Sequence, residues 1–144
     1  MAKALILWSS RTGNTTRIAD HIAEGLRDAG CEVEVRDVKY VESETEAAGY
    51  DALVLGSSNY HGEMNPPMKA FLFMVRNLDL SNVAGGAFGA YEFSSEASDR
   101  IFNTMKHVLK MKMVMGPLHL KSPENKDGIE TARAYGGEIA ALIT

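Results

Sequence analysis

Three continuous apolar runs, Ala4–Trp8, Ala52–Leu55 and Val83–Ala90, and a fourth, Met111–Met115, interrupted by Lys112, restrict what this chain can fold into. Runs of strand length that are apolar throughout, rather than alternating, belong to strands covered on both faces, as in a parallel sheet. Glu32–Arg36 alternates polar and apolar residues and reads as a half-exposed strand at the sheet edge. Between the strands the apolar spacing becomes helical. Ile18, Ile22 and Leu26 share a face with Ala19 and Ala23, and Gly30 follows as a stop. Met68, Phe71, Leu72, Val75 and Leu78 form a second inward stripe, and Ala97, Ile101, Met105 and Val108 a third. Ile129, Ala132, Gly136, Ile139 and Ile143 form the last. Residues 40–49, carrying Glu42, Glu44 and Glu46, read as a solvated connection with weak helical character, and Leu118–Leu120 extends the fifth strand past Pro117. At 144 residues the chain supplies one core and not two. The expected fold is a single α/β domain, a doubly wound five-stranded parallel sheet with right-handed crossovers and helices on both faces.

In such a sheet the ligand lies beyond the carboxyl ends of the strands, where strand order reverses. Three stretches at those ends change from apolar to polar and aromatic. The first is Ser9-Ser10-Arg11-Thr12-Gly13-Asn14-Thr15-Thr16, which runs from strand into helix. A helix start carries unpaired N–H groups at the positive end of the macrodipole, which stabilises an anion by roughly 0.3–1 kcal/mol, and by up to about 2 when partly buried. Phosphate is the natural occupant. Gly13 permits positive φ or close backbone approach, and Ser10, Thr12, Thr15 and Thr16 add hydroxyl donors. Arg11 is the one cation, either pairing with the anion or facing solvent. The plainer reading is a strand–turn–helix capped by Asn14 or Thr15. Neither G-x-x-x-x-G-K-[ST] nor G-x-G-x-x-G occurs, so the NTP loop and the dinucleotide fingerprint are excluded.

The second stretch is Gly56-Ser57-Ser58-Asn59-Tyr60-His61-Gly62-Glu63-Met64, followed by Asn65-Pro66-Pro67, where asparagine reads as a cap and proline fits the first helical turn. The third is Ala90-Tyr91-Glu92-Phe93-Ser94-Ser95. A phosphate loop beside two loops with aromatic side chains implies a ligand with a phosphate at one end and a flat ring at the other.

Composition narrows the classes further. A net charge of −4 argues against nucleic acid, which requires a basic face. A single cysteine, Cys31, excludes an intrachain disulfide and a cysteine-ligated zinc site, and its place after Gly30 fits packing. Ser9 and Ser10 stand where a phosphatase of similar architecture would need its cysteine, and Gly56-Ser57 stands where a phospho-receiver would need aspartate. No apolar run has the length of a signal peptide core or a membrane span, so a soluble, cytoplasmic protein is expected. No nucleophile–base pair is legible.

Ser10-Arg11-Thr12-Gly13-Asn14-Thr15 resembles the phosphate loop of flavodoxins, and the resemblance extends over the whole chain. It is strongest toward the short-chain type and the flavodoxin domain of flavodiiron proteins, through Ala90–Ala97, Asn65-Pro66-Pro67-Met68 and Ser122-Pro123-Glu124. The resemblance implies strand order 2-1-3-4-5 and non-covalently bound FMN. Ser10, Arg11, Thr12, Gly13, Asn14 and Thr15 would hold the phosphate. Ser57, Ser58, Asn59, Tyr60, His61 and Gly62 would run along one side of the ring, and Ala90, Tyr91, Glu92, Phe93 and Ser94 would line its other edge. Glu92-Phe93 replaces the glycine–tryptophan pair usual in the flavodiiron pattern, which leaves Tyr60 or Tyr91 as alternative stacking residues. A low-potential electron carrier follows, a monomer or weak dimer meeting redox partner proteins through a transient interface, with Glu63, Glu92, Glu96 and Asp99 as charged contacts. The alternative is an NAD(P)H-dependent quinone or metal-ion reductase on the same fold, and a phosphate-sensing domain without flavin is a third class.

Overall fold

The computed structural model describes residues 1–11, 13–60, 62–90, 96–121 and 125–144, the side chain of Tyr60 excepted. Strand β1 (Lys3–Ser9) leads into helix α1 (Asn14–Asp28), then β2 (Glu32–Asp37), two short 3-10 turns (Val38–Tyr40 and Glu44–Ala47) and β3 (Ala52–Ser57). A hairpin follows, β4 (Asn59–Tyr60) and β5 (Glu63–Met64), then α2 (Pro66–Met74), β6 (Ala84–Ala90) and α3 (Glu96–Asn103), which runs on as a π-helical turn (Thr104–Val108). β7 (Lys112–Met113), β8 (Leu118–Leu120) and α4 (Lys126–Ala141) complete the chain.

The main sheet has the order β2-β1-β3-β6-β7, with β8 also on β6, and all its pairings are parallel. With the hairpin set aside, and β7 and β8 taken as two halves of the fifth strand, this is the expected order 2-1-3-4-5. Burial follows the sequence pattern. Ala4 to Leu7 and Ala52 to Ser57 are buried residue by residue, whereas β2 alternates and pairs only with β1.

Several local expectations are corrected. The run Met111–Met115 is not one strand: only Lys112–Met113 pairs, and Met115 is fully exposed. Val108 is exposed rather than inward, because the helix widens into a π turn before reaching it and the facing of the last residues rotates. Ile129 and Ile143 are half-buried, and Tyr135 takes the inward place that the spacing gave to aliphatic residues. Residues 40–49 are more than a solvated connection. Val41 and Ala47 are buried, Ser43 and Glu46 form a capping box, and Glu46 accepts from Arg36 at 2.9 Å.

Tyr135 solves a problem created by the broken fifth strand. β7 covers Ala84–Gly85 and β8 covers Phe88–Ala90, so on that side, opposite β3, the backbone of Gly86–Ala87 lacks a neighbouring strand. The Tyr135 hydroxyl accepts from the Ala87 N–H at 3.0 Å and has the carbonyls of Gly116 and Ala87 at 2.8 and 3.1 Å for its own proton. Burial pushes this phenol above its ordinary range. Tyr135→Phe leaves a buried N–H unpaired, which costs about 1–3 kcal/mol. Thermal unfolding should shift down by several degrees; an unchanged midpoint would show that the gap is bridged in some other way.

Candidate functional site

Because the strands are parallel, the exits of β1, β3 and β6 lie on one rim. Register makes this concrete: Ser9 pairs with Ser57, and Gly56 with Phe88. Ser10, Arg11, Gly13, Asn14 and Thr15 therefore stand beside Ser57, Ser58, Asn59, Tyr60 and Gly62, with Ala90 at the end of the next strand. Thr12, His61 and Tyr91, Glu92, Phe93 and Ser94 lie outside the described residues.

At the β1–α1 junction no side chain among the described residues caps the first turn of α1. The expected caps, Asn14 and Thr15, are already inside the helix, and the cap position belongs to Gly13, whose φ of +86° no side chain would adopt cheaply. Gly13 makes no side-chain capping bond. Asn14 turns its Oδ1 toward Arg17, which donates to it at 3.2 Å. The Gly13 N–H donates to Ser10 Oγ at 2.9 Å, so Ser10 acts as acceptor there and keeps its own proton to give. Thr15 is fully buried, yet among the described residues its Oγ1 has no hydrogen-bond partner. An unpaired buried hydroxyl costs about 1–3 kcal/mol, so its retention at a helix start points to an acceptor that arrives from outside the chain. The donor set consists of hydroxyls and main-chain N–H groups at the positive end of a fifteen-residue helix, and it fits a phosphate monoester.

A cavity of about 340 Å³ adjoins this loop, lined by Ser9, Ser10, Arg11, Asp37, Lys39 and Asn65 together with Pro66 and Pro67. Arg11 is exposed on its rim.

The second loop differs from the sequence expectation. Asn59–Tyr60 and Glu63–Met64 pair as the β4–β5 hairpin, with Asn59 opposite Met64 and Tyr60 opposite Glu63, and Gly62 lies at φ +75°. Asn59 Oδ1 accepts from the Ala97 N–H at 3.2 Å, and Arg100 Nε donates to the Gly62 carbonyl at 3.1 Å. Glu63 does not stand as an isolated carboxylate, since Lys69 Nζ and Arg100 Nη1 each lie 3.6 Å from it. The hairpin is thus tied to α2 and α3 by contacts that no local pattern announces. Asn65 occupies the cap position of α2, as its place before Pro66-Pro67 implies. Its side chain, however, makes no capping bond and binds Ser9 and Ser58 instead.

Cys31 is buried in the core, and burial raises its thiol above the ordinary range. Among the described residues no group of three or more His, Cys, Asp or Glu is placed to hold a metal, and no helix is long and apolar enough to cross a membrane.

Comparison with known proteins agrees with this geometry. A flavodoxin domain family model matches residues 5–119. The solved structure of a flavodoxin from the domain Archaea superposes with a TM-score of 0.89 at 26% identity, covering 99% of each chain. The rubredoxin oxygen:oxidoreductase of Desulfovibrio gigas superposes with a TM-score of 0.88 at 25% identity, over 98% of this chain and 36% of that one. A NAD(P)H dehydrogenase (quinone) of Archaeoglobus fulgidus is 31% identical over 120 residues, which are 67% of this chain and 63% of its own length. The chain thus spans just under two thirds of that relative and about a third of the oxidoreductase. With the family model covering most of the sequence and the sheet order agreeing, the chain belongs to the flavodoxin family.

Proposed function

We propose that this chain binds FMN non-covalently at the shared rim of β1, β3 and β6, and works as a cytoplasmic low-potential electron carrier between redox partner proteins. FMN is the cofactor of the family. The observation that carries the assignment to this rim is the uncapped start of α1, with Gly13 in a left-handed conformation and the buried Thr15 hydroxyl without a partner among the described residues. Ser10, Arg11, Thr12, Gly13, Asn14 and Thr15 hold the phosphate in this reading. Ser57 to Gly62 flank one side of the ring and Ala90 to Ser94 the other. The bound flavin supplies one- and two-electron redox chemistry, while the chain binds, orients and partly dehydrates it. The tethered hairpin supports a rigid wall on the Ser57–Gly62 side. Redox partners meet the exposed ring edge through a small, transient contact, and the chain itself is a monomer or weak dimer. Glu63 contributes less charge to that contact than its sequence implies, since two cations offset it.

Similarity over 99% of both chains favours a carrier like the archaeal flavodoxin. The identity to the A. fulgidus quinone dehydrogenase favours a second reading, direct reduction by NAD(P)H. Anaerobic mixing of the FMN-loaded protein with NADPH separates them. A carrier keeps its oxidised flavin absorbance for minutes with NADPH alone and bleaches with dithionite. Bleaching by NADPH within seconds moves the chain to the reductase class.

A further inference from the structure

We propose that Asn65, which precedes α2, is a positioning residue for the phosphate of the ligand: it fixes Ser58 as a hydrogen-bond donor toward the anion. This rests on the FMN reading above. Asn65 is buried at 4% exposure and makes three hydrogen bonds into the rim. Its backbone N–H donates to Ser57 Oγ at 2.8 Å, and its Nδ2 donates to the Ser9 carbonyl at 3.3 Å and to Ser58 Oγ at 2.9 Å. The Ser9 carbonyl has no proton to give, so it settles which end of the amide faces these two oxygens. The direction of the remaining bonds then follows. Ser57 Oγ, accepting from Asn65, passes its own proton to the Ser58 carbonyl at 2.8 Å, and the Ser58 N–H goes to the Ser9 carbonyl at 3.0 Å.

Every polar group of Ser58 is engaged except one. Its hydroxyl oxygen is used as an acceptor by Asn65, which leaves the hydroxyl proton to be donated, and no described residue accepts it. Ser10 is set up in the same way by the Gly13 N–H. Two hydroxyls on neighbouring strand exits are thus held as donors by the protein. Such pre-set donors recognise an anion better than hydroxyls free to rotate. Asn65 lines the same cavity as Ser9, Ser10 and Arg11, which places the pair it forms with Ser58 next to the phosphate loop. A phosphate supplies the acceptor that the Ser58 hydroxyl proton lacks.

A purely mechanical role, stapling the end of β1 to the loop after β3, would affect all flavins alike. Dissociation constants for FMN and for riboflavin, which has no phosphate, should be measured by flavin fluorescence quenching on the apo forms of the native chain, Asn65→Leu, Ser58→Ala and the double variant. The expected result is that each single variant weakens FMN about tenfold. Riboflavin should change by less than about twofold, and the double variant should be no weaker than Ser58→Ala. The rise in unfolding temperature that inorganic phosphate gives the apo native chain should shrink in the same variants. Parallel losses for FMN and riboflavin, or additive losses in the double variant, overturn the proposal. If Asn65→Leu does not fold, Ser58→Ala alone decides, and unchanged FMN affinity there overturns it. Failure of the native chain to bind FMN at all would sink the functional reading instead.

Discussion

Thr15→Val should make the apo protein more stable and its hold on FMN weaker. Valine reproduces the shape of threonine without the hydroxyl, and the Thr15 hydroxyl is buried without a partner among the described residues. Removing it relieves a desolvation cost of about 1 kcal/mol or more, which raises the unfolding temperature of the apo chain by a few degrees. The same change removes a donor to a charged phosphate, a bond of about 1.5–3 kcal/mol, so FMN affinity should fall by roughly 10- to 150-fold. Opposite signs in the two measurements are the signature of a residue kept for its ligand. Thermal unfolding of the apo form and fluorescence titration of FMN check the pair. If Thr15→Val loses stability and binds FMN as the native chain does, the hydroxyl has an internal role and the phosphate is held elsewhere.

Two adjacent glycines should respond oppositely to the same substitution. Gly136 and Gly137 both lie in α4, and helix propensity alone would have alanine stabilise each by up to about 1 kcal/mol. Packing decides otherwise at the first. A Cβ on Gly136 would sit 2.3 Å from the Ile22 carbonyl oxygen of α1, whereas one on Gly137 would meet nothing within 4 Å. Gly25, on the facing helix, is equally crowded by the Arg133 carbonyl. Backbone cannot yield as a flexible side chain does, so α1 and α4 must separate. Overpacking of this kind costs about 3 kcal/mol or more, well beyond the propensity gain. Gly136→Ala should lower the unfolding midpoint by about 10 °C, while Gly137→Ala should leave it unchanged or slightly raised. FMN affinity should fall in Gly136→Ala as well, because displacing α1 displaces the phosphate loop at its start. Equal midpoints for the two variants would show that the helices are not in backbone contact.

The architecture was legible because the buried strands carry long-range information in a local pattern. Ala4–Trp8 and Ala52–Leu55, apolar throughout, can lie only inside a parallel sheet, and Glu32–Arg36 announces an edge by alternating. The rim to which the site is assigned was legible for the same reason, since the carboxyl ends of parallel strands lie together. What failed was whatever depends on partners distant in sequence. Asn65 before two prolines has the form of a helix cap, and only the approach of Ser9, fifty-six residues earlier, shows where its amide goes. Glu63 looked like a free charge until Lys69 and Arg100 were placed beside it. Met115 and Val108 had core-like spacing, but a π turn and the interruption of the fifth strand between β7 and β8 moved both to the surface. The tyrosine that patches that break, Tyr135, occupied a helical position indistinguishable from an ordinary core residue.

The central claim is that hydroxyls and main-chain N–H groups at the start of α1 grip the phosphate of FMN. The phosphorus-31 resonance of protein-bound FMN, followed from pH 5 to pH 8, tests it directly. A phosphate monoester free in water loses its second proton near pH 6, and its resonance moves accordingly. Donors aimed at the charged form hold the phosphate as a dianion, so its folded-state pKa lies below that window. The account predicts a bound resonance that stays flat across the range. A bound resonance that titrates like free FMN, or no bound resonance at all, would contradict it.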